Sequence, residues 1–415
     1  MKLVQRNLAP WAREILAVSP ILVIEGARQT GKSTLVTMLD GDASTYVTLD
    51  DEVTQDFARK DPVGLLRSAG QGRLVIDEVQ RCPELILPLK MEVDQDRRAG
   101  RFILTGSANL LRIPGAEDSL AGRAMTLRLH PFSQGELAEH IDDWVSHVLS
   151  GAWRSPQGAG DSREERSRIV TRVTTGGYPP VQEMSARLRQ SWITDYTNRL
   201  IERDSRDLGS AQVPALRRLM HLIAAAPGAE LVLERLAESL GLTRATVGRY
   251  LELLESLFLL HRLPAWSRNL TSRQVKRSKC YPADPGLTTA LSGLSAQQLL
   301  SPHGADHLGP LVEHFVVTEL IRQQGWASTP YELFHLRDRN GAEVDVVIET
   351  PQGVIGVEVK AATTARPAHF KHLAELRDRI GSEFLAGIVL TLGDGQLAGD
   401  RLAAMPVSSL WGQAS

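Results

Sequence analysis

The chain has 415 residues and a formal net charge of -2, with 42% hydrophobic and 23% charged residues. This length exceeds one ordinary domain, so we expect two to four compact units. The charge gives no global argument for nucleic acid, and any basic footprint must be local. The two cysteines, Cys82 and Cys280, lie far apart without ligand-type spacing, which argues against a disulfide framework and a zinc site.

The hydropathy pattern argues against a membrane protein. No apolar stretch reaches the roughly 20 residues that a membrane helix needs. The N-terminal segment MKLVQRNLAPWAREIL is interrupted by polar residues and predicts an amphipathic helix rather than a secretory signal. We therefore expect a cytoplasmic protein without membrane contact.

The first chemical motif lies between the β-type run Ile21-Leu22-Val23-Ile24 and a helix-compatible run. Residues 26–34, GARQTGKST, fit the phosphate-loop pattern G-x-x-x-x-G-K-[ST]. Glycines let the backbone close around a β-phosphate, and the following helix offers unpaired N–H groups. In such a loop Lys32 supplies positive charge and Ser33 binds Mg²⁺. The whole loop is the predicted nucleotide contact: Gly26, Ala27, Arg28, Gln29, Thr30, Gly31, Lys32, Ser33 and Thr34.

A second apolar strand, residues 74–76, ends in Asp77 and Glu78. This is the arrangement of a Walker B segment, in which the first carboxylate reaches the water shell of Mg²⁺ and the next polarises the attacking water. We assign Asp77 to the metal and Glu78 to the general base. Taken alone, the pattern also fits a solvated strand end.

Two further segments are candidates for contacts with the γ-phosphate. The strand at 102–105 closes in Gly106-Ser107-Ala108-Asn109, at the carboxyl edge where nucleotides bind such sheets. Thr105, Ser107 or Asn109 could sense the γ-phosphate, and Ser107 is our choice. Arg123 precedes a fifth strand at 125–129 and either reaches a γ-phosphate, in its own or a neighbouring subunit, or is an ordinary surface arginine. A contact in the neighbouring subunit would imply a homo-oligomer.

These strings together resemble a known family. The chain is similar to prokaryotic AAA-type ATPases whose C-terminal half is a conserved domain of unknown function. The similarity rests on GARQTGKSTL, LVIDEVQRCPEL, FILTGSAN and SLAGRAMTLRLHPFS, and then on GGYPP at 176–180, Glu202-Arg203-Asp204 and KCYPADPGL at 279–287. The loop contacts phosphate and not the base, so the choice of ATP over GTP is implied by the resemblance alone. The resemblance implies no settled biological role.

The resemblance also implies an α/β fold with four parts. They are a P-loop AAA-type ATPase core at 1–135, a helical lid at 136–210, a winged-helix-like module at 211–288 and a nuclease-like α/β domain at 289–415. Within the lid, residues 149–168 lack apolar periodicity and predict a mobile loop or insertion, with helix resuming by Ile169. The break at 176–180 predicts an interhelical turn.

Residues 234–255 predict two amphipathic helices around Gly241, with Thr243 capping the second, which is helix-turn-helix spacing. The second helix would turn Arg244, Thr246 and Arg249 outward. The segment 262–279 that follows holds six basic residues and no acidic one, as a DNA-contacting wing requires: Arg262, Arg268, Arg273, Lys276, Arg277 and Lys279. The predicted DNA contacts are Arg244, Arg249, Arg273, Lys276 and Arg277. The alternative is a winged helix used only for protein packing.

Residues 343–360, EVDVVIETPQGVIGVEVK, predict a hairpin in which Glu349 pairs with Val354 if residues 350–353 form the loop. Counting back sets Asp345 opposite Glu358 and Glu343 opposite Lys360, on one face. Two carboxylates about 5 Å apart repel each other, so a divalent cation would stabilise the pair. On a preceding helix, Glu313 is the better candidate for a third ligand and Glu319 the spare.

This order of side chains resembles the PD-(D/E)xK nuclease superfamily, in which such carboxylates bind Mg²⁺ for phosphodiester hydrolysis. The resemblance maps onto Glu313, Asp345, Glu358 and Lys360, with the departure that Val344, not proline, precedes Asp345. The alternative is an amphipathic hairpin with a Glu343–Lys360 ion pair on a wet face. Nuclease-like folds also persist as binding modules.

The sequence therefore predicts a Mg²⁺-dependent ATPase that acts on DNA, with a metal-dependent nuclease domain as a further possibility. The alternatives are a signalling or toxin-antitoxin-like switch, in which nucleotide state controls a protein-binding surface, and a DNA remodeller whose terminal domain never cuts.

Overall fold

The computed structural model describes residues 3–40, 44–107, 116–154, 162–204, 213–268, 273, 277–337 and 341–412. These residues form two compact units. We call them the N-terminal unit, Lys2–Phe132 with Ser256–Phe258, and the C-terminal unit, Ser133–Glu255 with Leu259–Ser415. The four-part division is finer than this and stays a prediction. None of the helices in the described ranges is long and apolar enough to cross a membrane.

The N-terminal unit is built on a parallel sheet of order β2-β3-β4-β1-β5. Its three central strands are short apolar runs, β1 being buried at every residue. The five strands are β1 (Ile21–Glu25), β2 (Ser44–Thr48), β3 (Arg73–Asp77), β4 (Phe102–Gly106) and β5 (Ala124–Arg128). Because every pairing is parallel, the carboxyl ends of all five strands meet at one edge.

Two helices of this unit begin at aspartate residues that cap them. Asp51 accepts a hydrogen bond from the Thr54 amide at the start of α3, and Asp61 caps α4 ahead of Pro62. The α-helices described in this unit are α1 (Ala9–Val18), α2 (Lys32–Asp40), α3 (Glu52–Lys60), α4 (Pro62–Arg67), α5 (Ile86–Gln95) and α6 (Ala116–Leu120). Helix α2 follows the phosphate loop directly, as the motif predicts.

The first part of the C-terminal unit is helical and ends in a two-stranded ribbon. Its elements are α7 (Gln134–Leu137), α8 (Trp144–Leu149), α9 (Ser162–Thr175), α10 (Ala186–Asp204), α11 (Val213–Ala225), α12 (Leu233–Leu240), α13 (Arg244–Ser256), β6 (Leu260–Leu263), β7 (Lys279–Pro282), α14 (Pro285–Leu291) and α15 (Ala296–Leu300). Helix α9 begins at Ser162, earlier than expected, because its charged first turns support it through Glu164, Glu165 and a Glu164–Arg168 pair. Residues 155–161 of the expected loop lie outside the described residues.

A buried ionic network connects segments that are far apart in the sequence. Asp284, fully buried, accepts hydrogen bonds from the amides of Gly177 and Gly286 at 2.7 and 2.8 Å and from Arg322 Nη2 at 2.6 Å. Arg322 also contacts buried Glu319. The break at 176–180 is a turn between α9 and α10, as predicted, and Asp284 fixes it in place.

The second part of the C-terminal unit is a six-stranded sheet of order β12-β13-β11-β10-β9-β8, with apolar clusters on both faces. Its elements are α16 (Ala305–Gln323), β8 (Glu332–Arg337), β9 (Glu343–Thr350), β10 (Gly353–Lys360), α17 (Lys371–Ile380), β11 (Phe384–Thr391), β12 (Gln396–Gly399) and β13 (Leu402–Pro406). The predicted hairpin register is confirmed, since Val354 pairs with Glu349. The connection is shorter than expected, because Thr350 and Gly353 already pair.

Candidate functional site

The phosphate loop is folded tightly between β1 and α2. A Cβ atom on Gly26 would lie 2.2 Å from the Leu129 carbonyl oxygen, so only glycine fits there. Gln29 and Gly31 adopt positive φ angles of 64° and 94°. Buried Arg6, which the sequence did not single out, donates to the Thr30 carbonyl at 2.8 Å and braces the loop. The backbone thus has the curvature that a phosphate cradle requires.

Lys32 lies at the centre of this loop. Its ammonium group donates to the carbonyl oxygens of Gly26 and Ala27 at 2.9 and 3.0 Å, and the residue is 7% exposed. Burial lowers the pKa of Lys32 to about 8, against the opposing effect of Glu78 and Asp77. A phosphate could therefore replace the two carbonyls as the partner of an ammonium group that is already desolvated.

Ser33 and Asp77, the two predicted magnesium ligands, face a common point. Tyr46 lies close to both side chains, and burial, followed by the nearby Asp77, raises the pKa of Tyr46 to about 12. Thr105 donates to Asp77 from the neighbouring strand β4. Tyr46 was missed because it lies on edge strand β2, where no local motif marks it. The structure thus brings hydroxyl and carboxylate oxygens together beside the loop.

Glu78 lies next to this point, in a left-handed conformation with φ of 56° that is uncommon for a non-glycine residue. Its Oε2 accepts hydrogen bonds from Ser107 Oγ at 2.9 Å and from Gln80 Nε2. Arg28 Nη2 lies 3.6 Å from the same oxygen. Ser107 is therefore placed beside Glu78, as expected for the carboxyl end of β4, and Gln80 is an additional neighbour that no motif indicated. Asn109 lies outside the described residues.

Arg123 occupies a different end of the sheet. It precedes β5, and its carbonyl oxygen accepts from the amide of Ile21, the first residue of β1. Its guanidinium group makes a bidentate pair with Asp94, at 2.8 and 2.7 Å. Parallel strands place their amino and carboxyl ends at opposite edges, so Arg123 does not reach a nucleotide in its own subunit. That version of the prediction is wrong, whereas a contact with a neighbouring subunit stays a prediction.

The residues predicted to bind DNA have different surroundings. Arg244 and Arg249 are exposed on α13, Arg244 pairing with Glu234 at 3.1 Å. Arg277 is exposed as well, and Lys276 lies outside the described residues. Arg273 is not available as a surface contact: it makes a bidentate pair with Glu349 and stacks on the Phe334 ring. The structure corrects that assignment.

Other basic side chains of the 262–279 segment are also paired. Arg262 lies 2.8 Å from Glu255, and Arg268 lies 3.1 Å from Glu383. Lys279 is buried among carboxylates of the C-terminal unit. The carboxylates come from outside the segment, so a local charge count could not show them. The segment is therefore much less basic in the fold than in the sequence.

The C-terminal carboxylates converge around two lysines. Lys279 Nζ lies 2.9 Å from Glu313, 3.1 Å from Glu343 and 3.7 Å from Asp345. Lys360 Nζ lies 2.7 Å from Glu358 and 3.6 Å from Asp345. Glu319, the spare candidate, belongs instead to the network around Arg322. The predicted side chains come together, and Lys279 joins them unexpectedly.

Burial dominates the electrostatics of this cluster. It raises the pKa of Glu358 to about 8, with Asp345 adding to the effect, and raises that of Glu313 in the same way. For Lys279 burial acts to lower the pKa, but Glu313 and Asp345 outweigh it and the pKa is raised. The ammonium group of Lys279 therefore stays charged in this site. The wet-face alternative does not hold, because Asp345 and Glu358 are both buried.

A shared metal ion does not fit this arrangement. Among the residues that the structure describes, no group of three or more acidic, histidine or cysteine side chains is placed to hold one. Lysine ammonium groups lie where the prediction put a divalent cation between Glu313, Asp345 and Glu358. The arrangement argues against these three residues as shared metal ligands, whereas the role of Lys360 stays a prediction.

The N-terminal unit has the sheet, the phosphate loop and the acidic strand end of an AAA-type nucleotide-binding domain. Residues 18–138 match the AAA domain family, residues 166–298 match a domain of unknown function, DUF8612, and residues 308–410 match another, DUF4143. The middle and terminal matches carry no described activity.

Similarity to whole proteins shows the family to which the chain belongs. The chain is 30% identical over 369 residues to the uncharacterized protein Rv2008c of Mycobacterium tuberculosis, covering 88% of this chain and 75% of the relative, and equally to Mb2031c of Mycobacterium bovis. It belongs to the family of these proteins, an AAA-type ATPase family. The Walker-type ATPase paby2304 of Pyrococcus abyssi covers 70% of this chain and 96% of its own length, at 15% identity and a TM-score of 0.44.

Proposed function

We propose that this chain is a Mg²⁺-dependent ATP hydrolase of the AAA type that uses its nucleotide cycle to act on DNA. The observation that carries the proposal is the convergence of Lys32, Asp77 and Glu78 at the carboxyl edge of a parallel sheet. Each residue matches a separate requirement of phosphoryl transfer: a positive charge, a metal ligand and a base. ATP, rather than another nucleotide, is inferred from the family.

Magnesium is the metal that suits the two oxygen ligands, Ser33 and Asp77. Mg²⁺ is usually held by one or two protein oxygens together with water and substrate phosphates, rather than by a cage of side chains. The proximity of both Ser33 and Asp77 to Tyr46 supports this choice of ligands. When bound, the ion would neutralise charge that develops on the phosphates.

Glu78 is the proposed general base. It has a fixed position, because Ser107 and Gln80 both donate to its Oε2. A γ-phosphate would offer Ser107 a second acceptor, and this exchange would leave the carboxylate free to take a proton from water. Ser107 is thus a candidate sensor that acts on the base directly.

Phosphate release by the Glu78→Gln variant tests this assignment. We expect ATP binding to be retained and turnover to fall by about 10²–10⁴-fold, the usual effect of losing a general base. Glu84→Gln is the matched control, since Glu84 lies exposed a few residues away. Unchanged turnover in Glu78→Gln would remove Glu78 from the mechanism, and loss of binding would show that it holds nucleotide instead.

The order of elements α11–α12–α13–β6–β7 supports a winged-helix module. Gly241 turns between α12 and α13 with φ of 66°, and Thr243 Oγ1 caps α13 by accepting from the Thr246 amide at 3.2 Å. Glu230, between α11 and α12, forms an antiparallel β-bridge with Lys279 of β7. This bridge adds a third segment of backbone to the two-stranded ribbon. In DNA-binding members of this architecture the equivalent of α13 enters the major groove.

Exposed Arg244 and Arg249 are the side chains through which α13 would contact DNA phosphates. Neutralising both by alanine should weaken DNA binding and reduce the salt slope by about 2, because each phosphate contact contributes about one unit. Arg262→Ala with Arg268→Ala is the control, since it removes the same number of positive charges outside α13. Fluorescence anisotropy at several salt concentrations measures the effect. Equal salt slopes in the two double variants would exclude α13 as the DNA contact.

A protein-binding switch is the second candidate, and the paired basic residues favour it. With Arg273, Lys279, Arg262 and Arg268 neutralised, the C-terminal unit offers DNA less positive charge than the sequence suggested. ATPase activity without DNA binding would support this function. In both proposals the terminal domain is a binding module.

In an oligomer, Arg123 could reach the nucleotide of the neighbouring subunit only after the ion pair between Arg123 and Asp94 is released.

A further inference from the structure

The cluster formed by Lys279, Glu313, Glu343 and Asp345, which we call the Lys279 cluster, lies in the C-terminal unit. The positive charge of this cluster is the ammonium group of Lys279, a side chain of the protein itself. The Lys279 side chain is 4% exposed and lies within 4 Å of all three carboxylates. A buried charge persists in a protein when it is paired and hydrogen-bonded, and here three partners surround one ammonium group.

The position of Lys279 is set by paired backbone. Leu263 of β6 pairs with Lys279 on one side, and Glu230 bridges to it on the other. Tyr281, two residues further along β7, lies on the same strand face and donates to Glu313 Oε1 at 2.6 Å. The strand therefore presents two donors to one carboxylate oxygen, and that oxygen is already satisfied without a metal.

Access does not explain why a lysine, rather than a metal ion, fills this position. A cavity of about 740 Å³, open to solvent, is lined by Lys279, Glu313 and Glu343 together with the turn at 226–229. A divalent ion could reach these oxygens through it. Mg²⁺ requires ligand oxygens at about 2.0–2.1 Å, and a resident ammonium group that occupies the same space prevents that approach.

We propose that Lys279 is the permanent cation of the Lys279 cluster and excludes divalent metal from it, so that the terminal domain is a metal-free module. The inference is independent of the ATPase proposal, because it concerns the C-terminal unit in the absence of nucleotide. It predicts that the metal-binding capacity of the carboxylates is latent. Replacing the ammonium group by an apolar side chain of similar length would release it.

The test measures Mn²⁺ binding to the full-length, nucleotide-free protein from the loss of the free-ion electron paramagnetic resonance signal. Lys279→Met removes the charge but retains most of the chain length. Lys371→Met is the matched control, since Lys371 is exposed beside Glu375. Asp345→Asn, alone and combined with Lys279→Met, identifies binding that belongs to the cluster rather than to the phosphate loop.

We expect Lys279→Met to gain a Mn²⁺ site that the added Asp345→Asn change abolishes, while wild type and Lys371→Met show no site that depends on Asp345. Mn²⁺ should also raise the melting temperature of Lys279→Met alone. A Mn²⁺ site in wild type that Asp345→Asn abolishes would overturn the proposal, as would a folded Lys279→Met protein without one. If Lys279→Met does not fold, the comparison of wild type with Asp345→Asn decides: equal binding supports the proposal and reduced binding refutes it.

Discussion

Replacing Asp284 by alanine should destabilise the C-terminal unit strongly. The carboxylate is fully buried and accepts from Arg322 Nη2 at 2.6 Å and from the amides of Gly177 and Gly286 at 2.7 and 2.8 Å. Its removal leaves Arg322, whose side chain is 2% exposed, with Glu319 as the remaining ionic partner. Breaking a buried pair in this way costs about 3–5 kcal/mol.

The two amides that lose their acceptor add to this cost, but contributions within one network are not additive. We therefore keep about 3–5 kcal/mol for the whole effect. With a urea slope of about 3 kcal/mol per molar, the unfolding midpoint should fall by about 1–1.7 M. Asp284→Asn, which keeps the shape and one acceptor oxygen but not the charge, should lie between wild type and Asp284→Ala.

Tryptophan fluorescence suits this measurement, because Trp11 is the one tryptophan of the chain that lies outside the C-terminal unit. Asp400→Ala is the control, since the Asp400 side chain is 71% exposed and should change stability by less than about 0.5 kcal/mol. A midpoint for Asp284→Ala that matches the control would refute the claim that this network holds the unit together.

Two further predictions concern the phosphate loop. Burial lowers the pKa of Lys32 to about 8 in the free protein, and bound phosphate would raise it, so binding takes up a proton above that pH. Affinity for a non-hydrolysable Mg-ATP analogue should therefore be about tenfold weaker at pH 9 than at pH 7 by calorimetry. Lys32→Arg, always protonated, should show little pH dependence, and equal dependence in both proteins would contradict the assignment. Gly26→Ala places a Cβ atom 2.2 Å from the Leu129 carbonyl oxygen and should abolish binding of a fluorescent ATP analogue, whereas Gly248→Ala, with open space at that position, should bind normally. Normal binding by Gly26→Ala would show that the loop can shift.

The sequence predicted well those parts of the structure whose conformation depends on residues close together in the chain. The phosphate loop needs a strand, two glycines and a helix within a few residues of one another, and all are present between β1 and α2. The hairpin register followed from the turn at 350–353 alone, because pairing in a hairpin is fixed by its loop. Gly241 and Thr243 likewise marked the boundary between α12 and α13, because both signals of a helix end lie next to that boundary in the sequence.

Contacts between distant residues could not be predicted in this way. Tyr46 lies close to Asp77 because β2 and β3 are neighbours in the sheet. The order of strands in a sheet cannot be predicted from the sequence of either strand. A contact with the γ-phosphate is the sequence-based expectation for Arg123, which precedes the fifth strand in the chain. The parallel topology instead puts it at the amino edge of the sheet, beside Asp94.

The basic segment 262–279 shows how a local pattern of charge can mislead. Its arginines and lysines were interpreted as a surface for phosphate because no acidic residue lies among them. Their partners are contributed by α13, β9, α16 and the turn before β11, and the pair of Arg268 with Glu383 spans 115 residues. A charged side chain that the fold removes from water is costly unless it is paired, and Arg273 and Lys279 accordingly lie against carboxylates from other elements. Electrostatic attraction for a ligand depends on the charge that remains after such pairing and not on the number of basic residues in the segment.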